Sequence, residues 1–288
     1  MERRTCCNMD INKKQVLIQS CFLCDSKKLR LLWKEDCYLA FECKDCKVVF
    51  CPVFQDVNLY NESYFSQWYI RCRYKRKRYL KKLLRRIEIL FDIKPGRVLD
   101  IGCGTGLLLE IMKEKGYKVI GIDTSFFAYK YCKDKKLEVS CCSLNNAGYA
   151  PSSFDIITLF DVIAHLRNPA SYLREIRIIL KDTGLLVIKT PYHPQIFFRL
   201  ANLFRFTRKS KSMLHIPAQV FHFTPDSIKK LLSSNGFEAL HIIKINDIPS
   251  FFISFSFKSI VIFLSQLFLK IFHYHDSMIV VARKRFPI

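Results

Sequence analysis

The sequence predicts an α/β protein, its strands and helices alternating behind a small cysteine-built module. Three observations predict it. RVLDIGCGTGLLL, Arg97–Leu109, joins an apolar strand to a helix through glycines at alternate positions. A second apolar run, KVIGIDTS, Lys118–Ser125, ends in Asp123. Two C-x2-C pairs, CFLC and CKDC, stand ahead of both.

Residues 1–16 read as a tail, because MERRTCCNMD has no apolar core and is not a signal peptide. Cys21 and Cys24 are separated from Cys43 and Cys46 by eighteen residues, a spacing that suits a four-thiolate zinc site. A closed tetrahedron of thiolates leaves no position for chemistry, so the expected zinc is structural. LRLLWKEDCYLAFE, between the pairs, reads as a β-hairpin, which makes residues 17–55 a zinc ribbon. Residues 56–95 form an aromatic and basic linker. It holds YNESYFSQWY and then RCRYKRKRYLKKLLRRIEIL, where Leu80, Leu83, Leu84, Ile87 and Leu90 recur at helical spacing. The other face of that helix is densely basic, suited to a nucleic-acid backbone, to anionic lipid, or simply to water.

The turn after the first strand carries Gly102, Gly104 and Gly106. Glycine accepts positive φ there and leaves the backbone bare to a ligand at a helix N-terminus. The spacing is not that of the dinucleotide fingerprint, which wants glycine where Leu107 stands, and no Lys-Ser or Lys-Thr follows to make a phosphate loop. Asp123 closes the second strand, where a carboxylate either accepts both ribose hydroxyls or caps the next helix, as Thr124 or Ser125 also would. Together the two signals indicate an adenosine-containing ligand without a phosphate requirement, and Asp100 beside the loop favours a cationic one.

VLDIGCGTG, GID, FDIITLFDVIAHLRNP and LREIRIILKDTGLLVIKTP together resemble the class I S-adenosylmethionine-dependent methyltransferases, over about residues 80–245 and the last strand. The resemblance implies a Rossmann-like doubly wound sheet of seven strands with the cofactor, S-adenosylmethionine, across the strand C-termini. It implies Asp100, Gly102, Cys103, Gly104 and Gly106 around the methionine end, Asp123 with Thr124 at the ribose, and Phe160 and Asp161 along the cofactor-facing edge. Many members place an acid beside the adenine after the third strand. Here SCCSLNN puts Ser143 and Leu144 there, with Ser143, Asn145 or a backbone carbonyl replacing the acid. Many also carry Glu-His where this chain has Ala164-His165, which removes a role for that glutamate such as metal assistance. Relatives with a zinc ribbon directly before the catalytic domain are associated with methylating sugars and other small acceptors, including glycans made on membranes.

Further strands are expected near 138–142, 154–160 and 184–190, a helix at 225–235 and strands at 238–245 and 277–284, the last two pairing antiparallel at one edge. Residues 96–288 thus form the catalytic domain, with apolar insertions near 194–215 and 248–275. Phe251–Phe272 is long enough to span a bilayer, yet Lys258, Gln266 and Lys270 favour a helix lying in the membrane interface, packing on the domain or meeting a partner. His165 and His193 are the candidate catalytic residues, with Tyr192, His215 and His222 nearby in sequence order. His165 serves equally well as a structural cap.

The net charge of +22 favours an anionic partner. Thirteen cysteines without an export signal point to a reducing, cytoplasmic compartment, with peripheral contact at the inner membrane face left open. The leading reading is a methyltransferase for a small-molecule or glycan-type acceptor. The alternatives are an RNA methyltransferase and a non-catalytic cofactor-binding protein.

Overall fold

The computed structural model describes residues 19–36, 38–52, 61–192, 198, 201–203, 214–216, 218–245 and 275–286, excepting the side chains of 67 and 68. The chain divides into two compact units, one drawn from residues 1–55 and 193–227, the other from 56–192 and 228–288.

In the first unit, β1 (Leu29–Glu35) and β2 (Tyr38–Cys43) form the expected hairpin, turned by Asp36 at φ +55°. β2 pairs with β3 (Val49–Phe50). β3 in turn pairs with a two-residue strand from far along the chain, Phe221–His222 (β9), completing a four-stranded sheet. Trp33, Tyr38, Ala40 and Val49 share one core with Phe198, Ala201, Leu214 and Ile216. The structure therefore joins the insertion near 194–215, which the sequence reading kept within the domain 96–288, to the ribbon's unit. Burial explains the difference. Two long strands alone offer too little apolar surface to cover Trp33, and the later segment supplies the missing wall.

The second unit holds a seven-stranded sheet. Its strands are β4 (Arg97–Ile101), β5 (Lys118–Asp123), β6 (Val139–Cys141), β7 (Phe154–Phe160), β8 (Leu180–Pro191), β10 (Phe237–Ile245) and β11 (Ser277–Lys284). They lie in the order β10-β11-β8-β7-β4-β5-β6. β4 to β8 run parallel, which requires crossover connections. α3 (Leu107–Glu114), α4 (Phe126–Asp134) and α5 (Pro169–Ile179) provide three of the four, and the β6-to-β7 connection carries only a single 3-10 turn, Leu144–Asn146. β11 is antiparallel to both neighbours, so β10 and β11 form the expected antiparallel edge. The strand order reverses between β4 and β7, and the crevice beyond the strand C-termini at such a switch point is where ligands bind in open α/β sheets.

Ahead of the sheet, α1 (Glu62–Phe65) runs through a π-helical turn, Ser66–Ile70, to α2 (Arg73–Phe91). Leu80, Leu83, Leu84 and Ile87 of α2 are buried against the sheet as the spacing predicts. Leu90 is not: it is half exposed, because it sits at the margin of the apolar stripe in the last turn, just before Asp92 ends the helix in a left-handed conformation. A further helix, Pro225–Ser234 (α6), opens where Thr224 Oγ1 accepts from the Ser227 N–H at 3.2 Å. Among the described residues, no helix is long and apolar enough to cross a membrane. Phe251–Phe272 and the candidate His193 lie outside the described residues.

Candidate active site

β4 delivers Asp100 to its C-terminal end, and the chain then turns through Gly102, Gly104 and Gly106 at φ +71°, +53° and +68° into α3. The three glycines do different work. A Cβ at Gly102 would collide with Val162 Cγ2, so that glycine lets the β7 loop close on the turn. A Cβ at Gly104 would approach only the Phe65 ring, at 3.4 Å, so its bare face opens to the cavity. A Cβ at Gly106 would meet Cys132 Sγ at 2.8 Å, which makes this glycine a packing requirement behind the cavity.

The cavity encloses about 270 Å³. Asp100, Gly102, Cys103 and Gly104 line it from β4 and its turn, Asp123 and Thr124 from the end of β5, and Ser143 and Leu144 from beyond β6. Phe160, Asp161 and His165 complete the β7 side. Of the residues singled out in the sequence for the cofactor, Gly106 and Asn145 do not line the cavity.

Asp123 is held at both oxygens: Oδ2 accepts from the Gly104 N–H and Oδ1 from the Ser125 N–H, each at 2.8 Å. Ser125, not Asp123, provides the side-chain cap of α4, its Oγ accepting from the Ala128 N–H. Burial raises the Asp123 carboxyl above the usual range, opposed by these N–H donors. Asp100 is 3% exposed. Burial pushes its carboxyl up to about 7, against the Thr158 hydroxyl that donates to Oδ1 at 2.6 Å, and the Asp123 charge adds to the rise.

Five notable residues of this wall escape sequence reasoning. Tyr64, Phe65 and Tyr69 line the cavity from α1 and the π-helical turn, and the Arg76 guanidinium lies 4.4 Å from the centre of the Tyr69 ring. The density of aromatic residues in YNESYFSQWY was the available signal. Lys189 of β8 also lines the cavity, its side chain 3% exposed and its Nζ donating to both Asp161 oxygens, at 2.8 and 2.7 Å. The signal there was a lysine inside the apolar run LLVIKTP.

In the other unit, Cys21, Cys24, Cys43 and Cys46 converge, their sulfurs all within 4.8 Å of one another. Cys21 and Cys46 sulfurs are 3.6 Å apart, as are those of Cys24 and Cys43. A tetrahedron with zinc–sulfur bonds of about 2.3 Å has edges of roughly 3.8 Å, so the four sulfurs fit zinc. The N–H groups of Leu23 and Cys46 donate to the Cys21 and Cys43 sulfurs, stabilising thiolates. The hydrogen bond between Cys21 and Cys46 lowers the Cys21 thiol and raises that of Cys46. Cys51, buried nearby in sequence, is not among the four.

A family profile described as a methyltransferase domain matches residues 72–242, more than half of the chain and the whole of this cavity's sheet floor. The chain belongs to the methyltransferase domain family. Curated relatives of the chain include a ubiquinone biosynthesis O-methyltransferase of Bradyrhizobium diazoefficiens, 32% identical over 127 residues, covering 42% of this chain and 50% of the relative. Another of that description, from Idiomarina loihiensis, is 30% identical over 101 residues, covering 33% and 42%. The chain thus spans about half the length of the curated relatives it matches. A SAM-dependent methyltransferase from Archaeoglobus fulgidus shares the fold, with a TM-score of 0.52 and 21% identity over 72% of this chain and 94% of that one.

Proposed function

We propose that this methyltransferase transfers the methyl group of S-adenosylmethionine to a small-molecule acceptor, with glycan-type hydroxyls within that class. The observation that carries the proposal is the cavity itself: a bare Gly104 backbone, Asp123 and Asp100 gathered beyond the strand C-termini. The family match supports it, as do the relatives named ubiquinone biosynthesis O-methyltransferases. S-adenosylmethionine supplies an electrophilic methyl group on a sulfonium. Asp123 would accept from the ribose hydroxyls, Asp100 would face the cofactor's positive charge, and Ser143 and Leu144 would sit against the adenine. His165 would take the acceptor's proton where the acceptor must lose one. Zinc at the four cysteines would be structural.

RNA is the second reading, favoured by the outer face of α2. Glu114 neutralises Lys77 and Lys81, and Glu110 pairs with Arg73, yet Arg78, Lys82, Arg85 and Arg86 remain on the exposed side. An anionic membrane surface at the inner face of a cytoplasmic membrane would meet the same charges. Incubation with S-adenosylmethionine carrying a labelled methyl and a fractionated cell extract decides between them. Label in the low-molecular-mass or glycan fraction is expected. Label entering RNA would transfer the proposal to the second reading, and failure to bind the cofactor in calorimetry would end both.

The buried Asp100 makes cofactor binding depend on pH. In the empty cavity its folded pKa of about 7 lies above the ordinary 3.8, so the native state holds the extra proton between those values and this group stabilises the empty protein as pH falls. A cationic cofactor demands the opposite, the ionised carboxylate. Affinity for S-adenosylmethionine should therefore be level above about pH 7 and fall by about tenfold per pH unit below it. Calorimetric titration at a series of pH values checks this, and Asp100→Asn should flatten the profile.

A further inference from the structure

We propose that Lys189 is the group that receives the acceptor: its ammonium, anchored by Asp161, binds and stabilises an acceptor oxygen as that oxygen loses its proton. This assigns an oxygen acceptor and not an amine, with the largest effect on an acidic oxygen such as that of a phenol, enol or carboxylic acid. The inference rests on the cavity holding S-adenosylmethionine as proposed above.

Position comes first. Asp123 ends β5 and Lys189 lies near the end of β8, and the order β8-β7-β4-β5 puts three strand spacings between their strands. At about 4.8 Å per spacing that is roughly 14 Å across the sheet. With the ribose over β5 and the methionine end over β4, the reacting methyl faces the β7–β8 end. Lys189, Asp161 and His165 are gathered there.

The cost of the pair comes second. Burying an ammonium, even beside a partly buried carboxylate, is expensive, and apolar residues of similar size commonly serve a fold at least as well. Asp161 moreover holds φ at +60°, a region that disfavours side chains, while its N–H donates to the Lys189 carbonyl at 2.8 Å. A strained, ionic arrangement that lines a cavity is a mark of use. The Lys189 ammonium donates to both Asp161 oxygens, which fixes where its charge sits in the cavity wall.

Chemistry comes third. A fixed ammonium repels a protonated amine, whereas it lowers the energy of an oxyanion. Tyr64, Tyr69 and Arg76 from the helical wall and Asp100, Asp123 and His165 from the strand ends also face this space. Of these, Arg76 is the other fixed cation, and it is engaged over the Tyr69 ring. In the step itself, the acceptor O–H gives its proton to His165, and the oxygen lone pair forms the C–O bond as the S–CH3 bond breaks. The sulfur keeps that bond's electrons. The products are a methyl ether or ester and S-adenosylhomocysteine, and His165 releases the proton to solvent.

The test uses the full chain saturated with S-adenosylhomocysteine, with 4-nitrophenol as the probe, buffered below the phenol's own pKa. Binding to the wild type is expected to raise the yellow phenolate fraction by about tenfold or more, the size of one charge-assisted hydrogen bond. Lys189→Met should lose that band while keeping its affinity for S-adenosylhomocysteine in calorimetry. Because that variant leaves the partly buried Asp161 without its lysine partner, Lys189→Met with Asp161→Asn provides a charge-free pair that should also lose it. A probe spectrum unmoved by the wild-type complex, or a band that persists in the paired variant, overturns the assignment. A wild type that does not bind S-adenosylhomocysteine fails earlier, at the cofactor reading, and the assignment falls with it.

Discussion

Asp123→Ala should weaken S-adenosylmethionine binding by roughly 10²–10⁴-fold, the loss of two charge-assisted hydrogen bonds at about 1.5–3 kcal/mol each. The carboxylate has two duties that point the same way. Toward the ligand it would accept the ribose hydroxyls. Toward the protein its two oxygens tie the Gly104 N–H to the Ser125 N–H, so the glycine turn is shaped before any ligand arrives. Removing it leaves those N–H groups without their partner, and a modest fall in Tm should accompany the loss of affinity. Asp123→Asn separates the duties. Its remaining carbonyl oxygen can hold one N–H, so the turn keeps part of its shape while the charge is gone, and affinity should fall between wild type and Asp123→Ala. Calorimetry gives the affinities and a thermal melt gives the turn's contribution. An Asp123→Ala protein that binds the cofactor as the wild type does would sink the ribose assignment.

Much of the second unit was legible because its signals are local. Val98, Leu99 and Ile101 alternate with nothing polar except Asp100, and the glycines after them permit only a tight turn. Asp123, Phe160 and Asp161 follow from where such strands end. The misses share a different cause: each depends on a partner distant in sequence. β8 begins at Leu180, before the expected 184, and its polar start KDT includes Lys181 and Asp182, which pair with Asp155 and Lys284. Lys189 reads as an oddity in an apolar strand until Asp161 is placed against it, 28 residues away. β9 is two residues long, below anything periodicity detects, and only the exposed edge of β3 gives it a place. The apolar spacing of α2 marked Leu80 and Ile87 correctly but not Leu90, because spacing cannot say how far the covering sheet extends.

That β9 belongs to the ribbon's sheet changes what metal removal should do. Chelation is expected to unfold not only the segment between the cysteine pairs but also the described residues of 214–227, in one transition. Structural zinc in small modules contributes about 10–16 kcal/mol of apparent binding energy at neutral pH, which in such a module is folding energy. Without it, Cys21 and Cys24 no longer hold the chain entering β1, nor Cys43 and Cys46 the chain between β2 and β3. β3 then loses β2 on one side, and β9 has no other strand to pair with among the described residues. Leu214 and Ile216 lose Trp33 and Val49, the residues that share their core. The sheet built on β4 to β8 has its own core, which includes Val98, Leu109, Ile156 and Val187, and should keep its protection. Hydrogen exchange before and after chelation, read segment by segment, measures all three. Loss of protection confined to the cysteine segment, with Phe221 and His222 still protected, would show that the late segment folds independently of the ribbon. Purified, reduced protein without bound zinc would remove the metal from the argument, leaving four converging thiols and a sheet that stands by its apolar core alone.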